Sequence, residues 1–292
     1  MELRHLRCFV AVADELHFGR AAKRLNLSQP PVSLAIKELE AELGLRLFDR
    51  TSRSIQLTTG GTEALRDARA VLARTESMRL HARNTAGGYG GSLSIGFISV
   101  AAYSFLPDVL RRFTEVFPKV RISLHESTTD QMLGDLDSGA LDVGCIFASP
   151  LLPPALHYQA THRDPLIVAL PEHHPLASLA RIPLERLANE QFLTFERHFG
   201  PMMFDIVVST CMRHGFSPRI FPARQMHTIV SLVSGGIGVA LVPACVEVLH
   251  REGVVYRPLQ SAPTLVETGA AWRAEGDSPA LLEFVRYLPK LH

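Results

Sequence analysis

The run "GTEALRDARAVLARTESMRLHARNTA", Gly61 to Ala86, contains no proline and ends in "GGYGG", Gly87 to Gly91. Such a run forms one long helix, and at 1.5 Å per residue it spans roughly 39 Å. The five-residue Gly-rich stretch then breaks it and forms a hinge. A helix of that length separates whatever precedes it from whatever follows, so the chain divides into an N-terminal module over 1–60, a linker helix over 61–86, a hinge over 87–91 and a larger domain from Ser92 to His292. Ala64, Ala68, Val71, Thr75, Met78 and Ala82 form a stripe at helical spacing along it. A thin module offers little to cover that stripe, which leaves two outlets: a seam with a second copy of the chain, or packing on the C-terminal domain. The seam is the favoured expectation.

Composition agrees with several packed units. The 292 residues are 47% hydrophobic and 20% charged, enough for two or three cores. Glu2, Arg4, Arg7, Asp14 and Glu15 exclude a secretory apolar region over Met1 to His17, and no apolar run approaches the roughly 18 residues of a spanning helix. A cytoplasmic protein without a membrane partner is expected. Cys8, Cys145, Cys211 and Cys245 are scattered in apolar surroundings without a CxxC pair, which points to reduced buried thiols and to neither a disulfide framework nor a zinc site. No metal or cofactor is expected. Fourteen of the 30 basic and ten of the 29 acidic residues lie in Met1 to Gly90, a balance of +4 against −3 for the remainder. The sign favours an N-terminal module that meets an anion.

In that module Leu3, Leu6, Val10, Ala13 and Leu16 mark a first helix, and Gly19 to Leu25 a short second one with Ala21 and Ala22 inward. A third helix runs from Gln29 to Leu43, with Val32, Ile36, Leu39 and Leu43 on its apolar side. Ser28 is its expected N-cap, and Pro30 and Pro31 sit in the first turn, where a missing N–H costs little. Two short helices and a third with a stiff, polar first turn make a helix-turn-helix. Ser28, Gln29 and Ser33 are short polar groups able to reach base edges or phosphates, and Lys37 suits a phosphate. "LRLFDRTSRSIQLT" then reads as strands over Leu45 to Phe48 and Ile55 to Leu57 around a loop. This wing carries Arg50 and Arg53 for phosphates or a minor groove.

Phe18, Ala21-Ala22, Leu25, Ser28-Gln29, Val32-Ser33, Ile36, Leu39-Glu40, Leu43-Gly44, Leu47-Phe48, Arg50 and Leu57-Thr58 together carry a resemblance. Met1 to Gly61 resembles the winged helix-turn-helix of the LysR-type transcriptional regulators. Two positions depart from the family pattern: Leu34 stands where arginine is frequent, and Gly60 where alanine is usual. The resemblance implies double-stranded promoter DNA and RNA polymerase as partners. It also implies a homotetramer built as a dimer of dimers, with paired linker helices presenting the readers to an interrupted palindrome.

From Ser92 onward strand-like and helix-like segments alternate: "SLSIGFIS", a helix from Tyr103 to Phe117, "VRISLHE", a helix near Gln131 to Asp137 and "LDVGCIF". They continue through "LIVALP", "QFLTF", helices from Met202 to His214 and near His227 to Val233, "IGVALVP", "LVETGAAWR" and a terminal helix. A parallel α/β arrangement follows. The whole chain is then α+β, with a C-terminal domain that is similar to the family's two-lobed, periplasmic-binding-protein-like effector domain. Lobe one takes 92–162 and 265–292, and lobe two 163–264. Ligands in such folds sit at strand C-terminal ends. Ser99, with Val100 and Ala101 behind it, follows the first strand, and Thr128 and Thr129 follow the second; the alternative is that these residues only cap their helices. The resemblance implies a cleft for a small effector of the benzoate and catechol catabolic subgroup, completed by Thr194, Phe195, Met202 and His227. Phe147 replaces an arginine of the muconate-sensing relatives, so a mono-anionic or more apolar aromatic effector is expected, with Arg197 or His198 as substitute cations.

Enzyme readings fare worse. The glycines of "SGGIGVALVP" follow a helix and precede a strand, the reverse of a dinucleotide-binding turn, and "HYQATH" and "PEHHPL" lack HExxH spacing. The sequence therefore leads to an effector-responsive transcriptional regulator, most simply an activator. A redox-sensing regulator using Cys211 or Cys245 is the alternative. If Gln29 reads a base edge, Gln29→Ala weakens binding to the specific operator by ~1–3 kcal/mol and leaves random DNA unaffected. Titrations against both DNAs check this, and equal losses on the two would contradict it.

Overall fold

The structure, a computed structural model, describes residues 1–50, 55–86, 91–150, 152–274 and 278–291. The chain divides into two compact units, Met1–Gly87 with Ser138–Ala140, and Gly88–Asp137 with Leu141–His292.

In the first unit α1 (Leu3–Glu15) buries Leu6, Phe9, Val12 and Ala13 along one face. It is followed by α2 (Phe18–Arg24), one residue ahead of the expected Gly19 to Leu25 because His17 caps it: the ring Nδ1 accepts from the N–H groups of Gly19 (3.0 Å) and Arg20 (3.2 Å). Asn26, at φ 55, turns the chain into α3 (Gln29–Leu43), which buries Val32, Ala35, Ile36 and Leu39. Ser28 holds the extended backbone of an N-cap, but its side chain makes no capping hydrogen bond. The helix stops at Gly44, whose φ of 69° suits glycine.

The wing pairs β1 (Phe48–Arg50) antiparallel with β2 (Ile55–Leu57). Its first strand starts later than the expected Leu45 to Phe48, because Glu40 Oε1 of α3 accepts the N–H groups of Leu47 (2.8 Å) and Phe48 (3.3 Å). The lead-in is thus pinned to α3. Phe48 seals the unit, with its ring 5.6 Å from Phe9 and 6.2 Å from Phe18 in edge contacts. Thr58 accepts the Gly61 N–H (2.8 Å) and so starts α4 (Thr59–Ala86) two residues before the expected Gly61. Leu65 and Ala68 are buried in the unit's core, whereas Val71 and Met78 are 44% and 64% exposed.

The second unit begins with β3 (Ser92–Phe97), α5 (Ser99–Tyr103), α6 (Leu106–Val116), β4 (Arg121–Glu126), α7 (Thr129–Asp137) and β5 (Val143–Phe147). The single helix expected over Tyr103 to Phe117 is thus two. Pro107 cannot continue a helix through residue 103, since its ring would meet that carbonyl, and it stands instead in the first turn of α6. Next come β6 (Leu156–Pro171), β7 (Gln191–Phe195), α8 (Pro201–Arg213), β8 (Arg219–Ala223), α9 (Met226–Ser234), β9 (Ala240–Pro243), β10 (Val254–Pro258), β11 (Leu265–Arg273) and α10 (Pro279–Arg286).

The expected parallel arrangement needs correction. β3 is parallel to β4 and β5, and β7 to β8, but β11 runs antiparallel to both β5 and β6. The reason is the 16-residue β6, whose first half pairs with β11 and whose second half pairs antiparallel with β9 and β10. The chain leaves the first lobe on β6 and returns on β11, so the two must oppose. One core packs Leu93, Ile95, Phe113, Met132 and Phe284; a second, in the other lobe, packs Leu166, Val168, Phe192, Val207 and Cys211.

The two adjacent glycines of α4 differ. A Cβ at Gly61 would lie 2.1 Å from the Leu47 carbonyl oxygen, whereas at Gly60 its nearest neighbour would be the Leu45 side chain, at 3.4 Å. Gly60→Ala is therefore expected to stabilise the protein by about 0.5–1 kcal/mol through lost chain entropy, and Gly61→Ala to destabilise it by more than that. Thermal unfolding of the two variants tests this; similar shifts would contradict the close approach.

Candidate functional site

The first site is a helix face. Ser28, Gln29, Pro30, Pro31 and Lys37 are exposed and Ser33 is half-buried, while the opposite face of α3 is buried. Leu34 stands on the same outer side, 57% exposed. The helix thus presents short donors and acceptors on a stiff first turn. Arg50 ends β1. Arg53 lies outside the described residues.

The second site is a cleft of about 660 Å³ within the second unit. Ser99, Val100, Thr128, Thr129 and Phe147 line it from the lobe of β3 to β5, and Phe195 and Met202 from the lobe of β7 and α8. Two expected residues are not among its lining. Thr194 neighbours Phe195 on β7, and the period-two alternation of a strand turns it into the core, 2% exposed. His227 is exposed in the first turn of α9, and the two residues just before that helix, Arg224 and Gln225, line the cleft instead.

Both threonines touch the cleft, and their roles differ. Thr129 is buried and its Oγ1 accepts the Phe147 N–H (3.3 Å), which ties α7 to the end of β5. Thr128 Oγ1 accepts the Gln131 N–H (3.4 Å) inside the first turn of α7. In each case the oxygen accepts, so the hydroxyl proton remains to be donated. The walls around them are apolar: Phe147, Phe195, Phe199, Met202 and Ile206.

The cation of the cleft is Arg224, not Arg197 or His198. Arg197 is held by Asp205 through two contacts of 3.0 and 3.3 Å, and His198 Nε2 lies 3.3 Å from Glu196. Neither lines the cleft, whereas Arg224 does, with its guanidinium 4.4 Å from the centroid of the Phe199 ring. Sequence reasoning missed both Arg224 and Phe199. The signal was present: each follows a strand end and precedes a helix, where ligand sites of open α/β folds collect. Gly200 belongs to the same corner, since a Cβ there would stand 3.0 Å from Phe195 Cβ.

The thiols are poorly suited to sensing oxidation. Burial pushes Cys211 and Cys145 up to about 12, and raises Cys8. Cys245 is raised by burial and then by its hydrogen bond with Asp164. A raised thiol leaves little thiolate to react at neutral pH. Cys211 and Cys245 pack in separate cores, and all four cysteines are free. Among the described residues no His, Cys, Asp and Glu cluster could hold a metal ion, and no helix is long and apolar enough to cross a membrane.

Comparison with known proteins gives the family of the chain. Residues 3–62 match the model of the bacterial regulatory helix-turn-helix protein, lysR family, and residues 86–291 match the LysR substrate binding domain. The chain is 40% identical over 289 residues to the HTH-type transcriptional regulator IlvR of Caulobacter vibrioides, covering 98% of this chain and 97% of that one. It is 38% identical over 286 residues to the HTH-type transcriptional regulator AlsR of Bacillus subtilis, covering 98% and 94%. Its fold resembles that of CbnR, a LysR family transcriptional regulator, with a TM-score of 0.79 at 28% identity over 98% of both chains. Against full-length CbnR in complex with its target DNA the TM-score is 0.76, at 28% identity over 99% of both chains. With both family models matched and relatives aligned over nearly its whole length, the chain belongs to the LysR family of transcriptional regulators and is not an enzyme.

Proposed function

We propose that this regulator activates transcription in response to a small organic carboxylate with an aromatic or apolar body, bound in the cleft between the two lobes. The observation that carries the reading is the cleft lining. Hydroxyls from Ser99, Thr128 and Thr129 face a wall of phenylalanine and methionine with one guanidinium beside it. Such a lining suits a flat apolar body with an anionic end. The raised thiols supply no matching support for redox sensing.

For assembly, the reading is a cytoplasmic homotetramer, a dimer of dimers, that presents its helices to an interrupted palindrome. It is supported by Val71 and Met78, which the first unit leaves uncovered on α4, and by exposed Val116, Leu124, Met212 and Phe221 on the second unit. Residues 61–86 would serve as the dimer seam; the expected hinge over 87–91 lies, apart from Gly91, outside the described residues. Effector closure of the lobes would then shift subunit packing, relax a DNA bend and expose a contact for RNA polymerase. That sequence requires the effector to bind one arrangement better than the other.

Melting of the purified protein against benzoates, salicylates, muconates and other small carboxylates tests the effector class. At 100 times its dissociation constant a true effector stabilises by ~2.7 kcal/mol. The shift should be lost in Ser99→Ala; silence across the panel would overturn the carboxylate reading. For the seam, Met78→Glu is expected to lower the assembly state measured by light scattering while the melting of the monomeric fold stays within about 0.5 kcal/mol, as for an exposed position.

A further inference from the structure

The geometry points to Arg224 as the residue that receives the effector's carboxylate, in a cleft that selects monocarboxylates and rejects dicarboxylates. This inference rests on the cleft being the effector site. Four charged side chains line it among the described residues: Glu126, Asp130, Asp205 and Arg224. Asp205 is already neutralised by its two-contact pair with Arg197. Arg224 is therefore the cation that an anion entering the cleft meets.

Its own partners hold it loosely. The nearest carboxylate, Glu196, approaches only to 3.9 Å and is shared with His198 at 3.3 Å. The firmer contact is Phe199, whose ring lies under the guanidinium carbon at 4.4 Å. A ring face attracts the positive charge without consuming N–H donors. Arginine carries five such donors in a rigid fork that matches a carboxylate. The stacking thus positions the group and leaves its donors for a ligand. Phe199 stands just before α8 and Arg224 just before α9, so both are positioned by helix starts rather than by a long loop.

The other wall decides the second half. Glu126 ends β4 and Asp130 lies in the first turn of α7, flanking in sequence the Thr128 and Thr129 hydroxyls. A ligand with one carboxylate at Arg224 leaves its body against Phe147, Phe195 and Met202. A second carboxylate reaching the opposite wall would face two acidic side chains, Glu126 and Asp130, on the same wall as the apolar Phe147. Like charges in a partly desolvated cleft repel.

The test uses the full-length protein and three probe sets: monocarboxylates (benzoate, phenylacetate, hexanoate), their neutral amides, and dicarboxylates (terephthalate, muconate). Thermal shift and calorimetric titration are the readouts. At least one monocarboxylate is expected to bind the wild type, with its amide and the dicarboxylates at least tenfold weaker. Arg224→Gln should weaken that acid by about tenfold to a hundredfold, the size of a lost charge-assisted hydrogen bond, and leave the amide unchanged. Arg224→Lys should fall between. Should Arg224→Gln not fold, Phe199→Leu, which removes only the supporting ring, should weaken the acid and spare the amide. Equal acid affinity in the wild type and the variants would overturn the role of Arg224 and leave the carboxylate reading intact. Dicarboxylates binding as tightly as monocarboxylates would overturn the selectivity. No acid binding to the wild type would overturn the carboxylate reading and Arg224 with it.

Discussion

The second unit depends on one strand. β6 runs 16 residues without a break and gives its first half to β11 and its second half to β9 and β10. Backbone N–H and C=O groups in a core must be paired, and this strand satisfies its own by changing partners midway. The exchange falls at Pro165, which has no N–H to lose; the next residue, Leu166, donates to Thr264 of the returning crossing at 2.8 Å. Around it the two crossings are stitched by Thr161 Oγ1 donating to the Thr268 carbonyl at 3.2 Å and by Arg163 Nε donating to Glu267 Oε2 at 2.8 Å. Since the ladder cannot slide without exposing half of β6, the lobes can approach each other only by bending at these crossings, which is the hinge class of motion.

That constraint also explains what sequence could reveal. The helices of the first unit were legible because their signals are local: apolar spacing in α1 and α3, two prolines in a first turn, a glycine at a stop. Two features of the same unit were not. The imidazole of His17 caps α2, a role in which serine or aspartate would have been looked for, and Glu40 clamps the wing's lead-in across the turn at Gly44. Both are recognisable only once the partners are in place. In the second unit, "LHYQATHRDPLIVALP" contains an internal proline, Pro165, directly after the charged Arg163 and Asp164, which disguised a continuous strand and left only "LIVALP" readable. With the first half of β6 unseen, the antiparallel β11 had no partner to be assigned to, and a parallel sheet followed.

The cleft was half legible for a related reason. Residues that follow a strand directly, such as Ser99, Thr128 and Thr129, can be placed by counting. Those on the strand itself require its parity, and one step separates the buried Thr194 from Phe195 at the cleft. On α9 the count fails in the other direction, because the useful side chains, Arg224 and Gln225, precede the helix and His227 inside its first turn turns away. Charge pairing adds a layer that spacing cannot show: Arg197 and Arg224 look alike in sequence, but Arg197 is paired with Asp205 and lies outside the cleft lining that Arg224 joins.

These elements bear on how little binding energy a switch of this kind needs. Moving a two-state equilibrium from 1:99 to 99:1 requires a preference of about 10⁴, roughly 5.5 kcal/mol. In a concerted tetramer four sites share that demand, so each effector must favour the active arrangement by only about tenfold, roughly 1.4 kcal/mol. A hydrogen bond to a charged group contributes about 1.5–3 kcal/mol. One carboxylate that reaches both a guanidinium on the second lobe and a hydroxyl on the first only when the lobes have bent together would therefore suffice. On the proposed reading the apolar walls would hold the ligand's body in either arrangement and set affinity without driving the change, and the polar groups at the two helix starts would set the response.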